Sequence, residues 1–177
     1  MPWYSGQSSC GCNTPCPEEE VSPCSILSGV TESSVFTVEV GAFGDSFCFC
    51  DQYDGTYTLT HDPDNVNGCM WGTGGSIFDP FLDLDPDPET GANCDISDIR
   101  IIFSGTSSVG LTVQLNTSVG PYFGSAIVGP AIFDATGLDI TFQGIGSFGT
   151  NGGLTAPANF NRPCNITFSS FMRVKLV

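Results

Sequence analysis

Cysteine is the residue type with the most chemistry to offer in this chain, whose 177 residues include nine cysteines but only one histidine. Cysteine sulfurs can cross-link as disulfides, hold a zinc ion as thiolates, or act as nucleophiles where a neighbouring cation lowers the thiol pKa. We therefore consider cross-linking first, metal binding second and catalysis last. The nine candidates are Cys10, Cys12, Cys16, Cys24, Cys48, Cys50, Cys69, Cys94 and Cys164.

Disulfides are the favoured use of these cysteines. Of the nine, eight could form four bridges while the last stays free or joins two chains, and spacing alone does not give the pairing. Cys48 and Cys50 would point to the same face of a strand, so they would bond to different partners. Cys50 and Cys69 flank the turn signal Asp54-Gly55 and could staple the base of that hairpin where their geometry permits.

Zinc is the alternative use of the N-terminal cysteines. Four thiolates can form a structural zinc site, although the spacing C-x-C-x₃-C-x₇-C differs from the paired C-x₂-C knuckle that such sites usually have. Disulfides therefore remain the first hypothesis for this segment. The zinc hypothesis concerns Cys10, Cys12, Cys16 and Cys24.

A run of carboxylates between residues 79 and 89 is the second group that could do chemistry. In extended backbone, alternate side chains share one face, so these acids would crowd together and repel unless a cation such as Ca²⁺ bound them. No glycine stands where an EF-hand loop requires its turn, so a solvated acidic loop is the simpler interpretation and calcium the alternative. The candidate calcium ligands are Asp79, Asp83, Asp85, Asp87 and Glu89, and a weaker group is Asp62, Asp64 and Asn65.

Catalysis has little support in the residue types. A hydrolytic triad needs a general base, and His61, the only histidine, stands in a turn-like His-Asp-Pro-Asp segment where a surface role is the simpler interpretation. Two carboxylates suffice for a glycosidase, but nothing in the pattern indicates a sugar-binding cleft. We expect a protein that is not an enzyme.

The net charge of −15 excludes several classes of partner. Nucleic-acid binding needs a basic stripe, which four Lys and Arg residues cannot supply. Anionic lipid surfaces are disfavoured for the same reason, and no apolar run approaches the roughly 20 residues of a membrane span. We therefore expect neither a nucleic acid nor a membrane as partner, and a cation or a basic protein surface as the natural complement.

Apolar residues recur at alternate positions along most of the chain from residue 35 onwards. Residues 35–40, 56–60, 111–115, 138–142 and 172–176 all show this period of two, which is typical of half-buried strands. Eight to ten short strands separated by turns, with no helical pattern, are typical of a sandwich, a jelly roll or a barrel. We predict an all-β fold, an antiparallel β-sandwich or jelly roll.

The chain divides by composition into two parts. Residues 1–34 are poor in apolar side chains and hold four of the cysteines, so they predict an irregular N-terminal arm that is ordered by cross-links or by a partner. Residues 35–177 predict the β-sandwich or jelly-roll domain itself.

The opening residues have neither the charged stretch nor the apolar stretch of a secretory signal peptide. Disulfides nevertheless belong to oxidising surroundings. A protein made in a cytosol and released on a particle at lysis would satisfy both observations. Metal-held thiols and a mature secreted fragment are the alternatives.

Three short motifs carry a resemblance. The segments Cys48-Phe-Cys50, Asp54-Gly-Thr-Tyr-Thr-Leu-Thr60 and Cys69-Met-Trp71, preceded by C-x-C-x₃-C-P at 10–17, resemble a pattern of Cys-rich β modules. Such modules are found in surface proteins of planctomycete-type bacteria and in tailed-phage virion proteins. The resemblance covers about residues 1–75 and implies a surface or virion module, without assigning a role to any residue.

Together these features predict a structural protein of a bacteriophage virion, most directly a capsid decoration (cement) protein that stabilises the shell. Its partners would be further copies of itself, in a homo-oligomer such as a trimer, and a major capsid or tail protein. One alternative is a tail, fibre or receptor-binding tip component that uses the loops at 72–97 and 144–157. Another is an envelope or filament subunit at a bacterial cell surface.

Overall fold

The computed structural model describes residues 22–41, 54–65, 69–74, 96–117, 120–144, 152–155 and 169–177. Within these ranges the chain forms eleven strands and no helix, which confirms the all-β prediction. The strands are β1 (Leu27–Ser28), β2 (Phe36–Gly41), β3 (Gly55–His61), β4 (Met70–Gly72), β5 (Ile96–Ser104), β6 (Ser108–Thr117), β7 (Gly120–Pro130), β8 (Phe133–Asp134), β9 (Asp139–Gln143), β10 (Gly152–Thr155) and β11 (Phe171–Leu176).

Nine of the described strands form one closed barrel in the order β10-β7-β6-β5-β4-β3-β2-β11-β9, with β9 returning to β10. Neighbours in the barrel are antiparallel except β9 and β10, which are parallel. The remaining two strands, β1 and β8, form a small parallel pair. The interior is therefore lined by one face of every barrel strand.

Alternation along each strand decides which side chains line that interior. In β6, Leu111, Val113 and Leu115 are buried, while Thr112 and Gln114 between them are only partly covered. Successive side chains of a strand point to opposite faces, so an apolar residue at every second position produces one apolar face. The alternation of side chains along a strand therefore explains both the period of two in the sequence and the apolar inward face of the barrel.

Two strands close the barrel because each changes its neighbour part-way along. β3 pairs with β2 as far as Leu59, and with β4 through Thr60 and His61. β10 pairs with β9 through Gly152 and Gly153, and then with β7. Strands that pass from one sheet to another make the corners of packed sheets.

The prediction of a sandwich or jelly roll differs from this architecture at those corners. Two corner strands, one on each side, join the two sheets into a closed barrel. Alternation shows which residues of a strand face inward, but it does not show that one strand serves two sheets. The inward faces of the strands were therefore predictable, and the closure was not.

Aromatic rings occupy the centre of the core. Trp71 is fully buried, and its ring centroid lies 5.0 Å from that of Phe36 and 6.0 Å from that of Phe103. The buried indole N–H needs an acceptor, and Nε1 of Trp71 donates to the carbonyl oxygen of Ser34 at 3.1 Å. That bond ties the chain just before β2 to the middle of the barrel.

Residues 22–35 pack against the end of the barrel at which β2 begins and β11 ends. Cys24, Leu27 and Val30 are buried in the same apolar cluster as the barrel residues, and Val177 N donates to the carbonyl oxygen of Val35 at 2.9 Å. The predicted arm therefore contributes its described part to the core. Residues 1–21 lie outside the described residues, and the domain boundary after residue 34 stays a prediction.

Two glycines make room for the ring of Phe142 inside the barrel. A Cβ at Gly124 of β7 would lie 2.6 Å from Cδ1 of Phe142, and one at Gly152 of β10 would lie 2.7 Å from the same atom. Carbon atoms do not approach that closely, so any larger residue would displace the ring. The closure between β7, β10 and β9 thus depends on the absence of side chains at these two positions.

We expect Gly124→Ala to lower the free energy of unfolding by about 1–3 kcal/mol, the usual cost of overfilling a packed core. Urea unfolding followed by fluorescence would measure it. Gly110→Ala is the matched control, because a Cβ there would meet nothing closer than 3.6 Å. Phe142→Leu added to Gly124→Ala should recover part of the loss, and equal stability of Gly124→Ala and the wild type would contradict this account of the packing.

Candidate functional site

A disulfide joins the N-terminal segment to the barrel. Cys24 and Cys69 are bonded across a separation of 45 residues, with their Cα atoms 5.0 Å apart. Both are buried. Backbone hydrogen bonds hold each end, from Leu27 N to the Cys24 carbonyl oxygen at 3.0 Å and from Phe103 N to the Cys69 carbonyl oxygen at 2.9 Å. The bridge fixes residues 22–35 against the first residues of β4.

This bridge confirms the prediction of disulfides and changes one detail of it. The sequence suggested that Cys50 could staple the hairpin through Cys69, but the sulfur of Cys69 is bonded to Cys24. Because a zinc ligand must be a free thiolate, the zinc hypothesis would need the reduced form of Cys24. The other cysteines lie outside the described residues, and these are Cys10, Cys12, Cys16, Cys48, Cys50, Cys94 and Cys164.

The acidic loop, for which calcium binding was the alternative to a solvated loop, lies outside the described residues. Its candidate ligands are Asp79, Asp83, Asp85, Asp87 and Glu89. Calcium there stays a prediction. Among the residues that the structure describes, no group of three or more His, Cys, Asp or Glu side chains could hold a metal ion.

The weaker cation candidate after β3 forms a local turn. Asp64 N donates to Oδ1 of Asp62 at 3.0 Å, and Asn65 N donates to the Asp62 carbonyl oxygen at 3.4 Å. Side chains of Asp often accept such a bond from the backbone two residues on. The amide of Asn65 donates to Sδ of Met70 at 3.5 Å. These groups shape the connection between β3 and β4.

A groove of about 600 Å³ lies on the outside of the barrel beside β4. It exists because β4 is only three residues long, so the surface between β3 and β5 is not filled by a longer strand. His61 borders the groove at the end of β3, and its ring lies on the inward side of the strand, 5.2 Å from that of the buried Trp71. The groove is lined by Thr60, His61, Asp62, Pro63, Asp64, Met70, Gly72, Gly74, Ser97, Asp98 and Arg100.

Asp98 and Arg100 form the polar side of this groove. Residues two apart on a strand share a face, and Nε of Arg100 donates to Oδ2 of Asp98 at 2.7 Å. The amide of Asn116 on β6 donates to the other oxygen, Oδ1, and Gln114 in turn donates to Asn116 at 2.8 Å. Both carboxylate oxygens therefore have donors within the chain, and the cluster ties β5 to β6.

A second ion pair lies on the outer face of β9 and β11. Nε and Nη2 of Arg173 donate to the two carboxylate oxygens of Asp139, each at 2.7 Å, and Nζ of Lys175 lies 3.8 Å from Oδ2. These hydrogen bonds, with the positive charges of Arg173 and Lys175, hold the pKa of Asp139 below its ordinary value. The same hydrogen bonds raise the pKa of Arg173.

Asp134 at the end of β8 is held in a similar local way. Thr136 N donates to its Oδ1 at 2.9 Å, and this hydrogen bond is the main reason that the pKa of Asp134 is lowered.

The sequence analysis predicted neither of the two ion-pair clusters, the one at Asp98 and the one at Asp139. The i, i+2 spacing of Asp98 and Arg100 was a usable signal, whereas Asp139 and Arg173 meet only through strand pairing.

No family model matches this sequence, and neither a curated protein nor a solved structure matches it. Across the part of the chain that the structure describes, no helix is long and apolar enough to cross a membrane. Function must therefore be argued from the arrangement of this chain's own residues.

We expect the double variant Cys24→Ala, Cys69→Ala to lose about 3–4 kcal/mol of unfolding free energy, the loop-closure contribution of a bridge across 45 residues. Urea unfolding without reductant would measure the loss. The control is the same pair of proteins in excess reductant, where the difference should vanish because every bridge is open in both. Equal stability without reductant would show that this bridge is not a cross-link of the folded chain.

Asp139→Asn should lower stability at neutral pH but not in acid. The pKa of Asp139 is lower when folded than its ordinary value of 3.8, so the ion pair stabilises the fold above that value. The stabilisation is lost as the pH falls through the lowered pKa. Unfolding curves measured at a series of pH values from 7 downwards would show the difference shrinking as the pH falls below 3.8. Asp64→Asn is the control for loss of an exposed charge, and a difference that does not shrink with falling pH would contradict the assignment.

Proposed function

We propose that this chain is a structural protein of a bacteriophage virion, a capsid decoration (cement) protein that binds a shell and stabilises it without catalysing a reaction. The observation that supports this most is the closed barrel with its N-terminal segment bonded to it by the buried bridge between Cys24 and Cys69. A bridge of this kind lowers the entropy of the unfolded chain. Such a module would stay folded outside a cell.

Closure of the sheet also favours a protein that binds partners through side chains and loops, because a closed sheet has no open edge to which another strand could pair. Open sheet edges offer unpaired backbone groups to other chains, and the nine described barrel strands each have neighbours on both sides. Side chains and loops are then the parts that contact a partner. We further propose that the fold derives from a two-sheet sandwich that β3 and β10 have joined into a barrel.

The charge distribution favours a basic partner such as a patch on a major capsid protein. The net charge is −15, and the described basic side chains, Arg100, Arg173 and Lys175, all lie in ion pairs with Asp98 or Asp139. The electrostatic potential around the molecule is therefore negative, and this favours association with positively charged surfaces. Calcium at the acidic loop, or zinc at the N-terminal cysteines, would act as structural ions in this proposal.

The described polar clusters support a binding role over catalysis. Both oxygens of Asp98 accept bonds from Arg100 and Asn116, and both oxygens of Asp139 accept bonds from Arg173. Carboxylates held in this way connect strands. We also propose that the chain associates with further copies of itself. The predicted arm would then lie across a neighbouring subunit, and the sequence suggested a trimer.

A receptor-binding tip is the second candidate. The loops at 72–97 and 144–157 were its predicted binding elements, and the strands beside them reach the same end of the barrel. β5 begins and β9 ends where β2 ends, because Gln143 pairs with Phe171, Phe171 pairs with Gly41, and strand directions alternate around the sheet. This arrangement would let both loops contact one target.

Quantitative mass spectrometry of purified particles, under non-reducing conditions, would test the decoration proposal. We expect this chain at a copy number close to that of the major capsid protein, with the peptide joining Cys24 to Cys69 present as a disulfide. A few copies per particle would favour the tip. Absence from particles together with recovery from a cell envelope would overturn the virion assignment and favour the envelope or filament subunit.

Shell stability provides an independent readout. Particles lacking this chain should break at a lower temperature than complete particles, and adding the purified protein back should restore the higher breaking temperature. The double variant Cys24→Ala, Cys69→Ala is a useful comparison, since a less stable decoration protein should restore less. Unchanged shell stability would contradict the cement role.

A further inference from the structure

Residues 101–133 contain no Asp, Glu, Lys, Arg or His, in a chain whose net charge is −15. This uncharged stretch comprises the last four residues of β5, all of β6 and all of β7. β6 and β7 are also the longest described strands, at ten and eleven residues. The longest pair of strands in the barrel therefore presents an uncharged outer surface.

We call the outward-facing side chains of these two strands the neutral face. They alternate with the buried residues of the core and lie side by side in the register of the pair. In the middle of the face the hydroxyls of Thr112 and Ser125 bond to each other at 2.9 Å, so each already has one hydrogen-bond partner within the chain. The neutral face runs along the length of both strands, and its central residues are Gly110, Thr112 and Gln114 on β6 and Phe123, Ser125 and Ile127 on β7.

The neutral face carries a projection and a hollow next to each other. The side chain of Ile127 is 76% exposed and Phe123 is 39% exposed, high values for large apolar residues. Gly110 is the register partner of Ile127, and the nearest atoms to a Cβ at that position would be backbone oxygens at 3.6 and 3.7 Å. The surface above Gly110 therefore has space for an apolar side chain.

We propose that the neutral face binds a second copy of this chain about a two-fold axis. In a two-fold interface the same surface serves both partners, so residue i of one copy contacts residue j of the other and the reverse. An axis passing between Ile127 and Gly110 places each isoleucine over the glycine of the other copy. This inference develops the self-association in the proposed function and favours a pair over the trimer.

Charge favours a second copy as the occupant. Two chains of net charge −15 repel wherever their acidic surfaces meet, and the neutral face is where that repulsion is smallest. A basic partner would gain nothing from a surface without charge. Salt should therefore strengthen the pair, because it screens the remaining repulsion between the copies.

The size of the face predicts a weak association. Strands of ten and eleven residues are roughly 35 Å long, and two strands with their flanking side chains are roughly 14 Å wide. Two copies would bury roughly 1,000 Å² in total, at the lower limit for a specific interface. We expect a dimer with a dissociation constant in the micromolar range.

Sedimentation equilibrium of the purified full chain in 0.05 M and 0.5 M NaCl would test the pairing. We expect a monomer–dimer equilibrium that is tighter at the higher salt, and Ile127→Asp should weaken it at least about tenfold. Val177→Asp is the matched control, because Val177 is 80% exposed and lies outside the neutral face. Gly110→Leu, which fills the hollow without touching the core, should weaken the dimer as well.

A charge-pairing experiment tests the two-fold axis itself. Ile127→Asp and Ile127→Lys should each be monomeric alone, and mixing them should restore a one-to-one dimer, because the two copies of residue 127 flank the axis. Circular dichroism and urea unfolding of each variant would establish that the fold is intact.

Several results would overturn the proposal. The wild-type chain could remain a monomer at about 1 mM, or it could form a trimer. It could form a dimer that Ile127→Asp weakens no more than Val177→Asp does. Finally, the chain could be a monomer that loses its binding to shells when Ile127 is replaced by Asp, which would make the shell the occupant of the neutral face. Only the last of these measurements needs particles. A dimer that responds as expected but never binds a virion would leave this inference standing and overturn the proposed function instead.

Discussion

Closure of the sheet at β3 and β10 is the constraint on which the rest of the described structure depends. β3 pairs with β2 and then with β4, and β10 pairs with β9 and then with β7. These pairings close the sheet into a barrel, in which every strand has one inward face and one outward face. The inward faces together enclose Trp71, Phe36 and Phe103. Without the glycines that admit Phe142 beside β10, the second corner could not form with this packing.

Charge is unevenly distributed over the described outer surface of the barrel. Ion pairs lie beside β4 and β5 and across β9 and β11, where Asp98 and Asp139 accept from arginine. The face of β6 and β7 has no charge along its length. The described outer surface therefore has regions with ion pairs and one region without charge.

Sequence reasoning succeeded where a property depends on neighbouring residues alone. Alternation located strands such as those at 56–60 and 172–176, since burial of every second residue requires no knowledge of the partner strand. It failed where two distant positions had to meet. Cys69 bonds to Cys24 across 45 residues, not to the nearer Cys50, because the segment before β2 folds back onto the start of β4.

The sequence by itself determined the class of structure, the inward face of each strand and the acidic charge of the surface, because those follow from the order and type of side chains along the chain. Only the tertiary structure decided the closed barrel, the pairing of Asp139 with Arg173, and the placement of Ile127 beside Gly110. These depend on strand register and on which strand serves two sheets. Local alternation has the same period of two whichever strands become neighbours, so it carries no information about that choice.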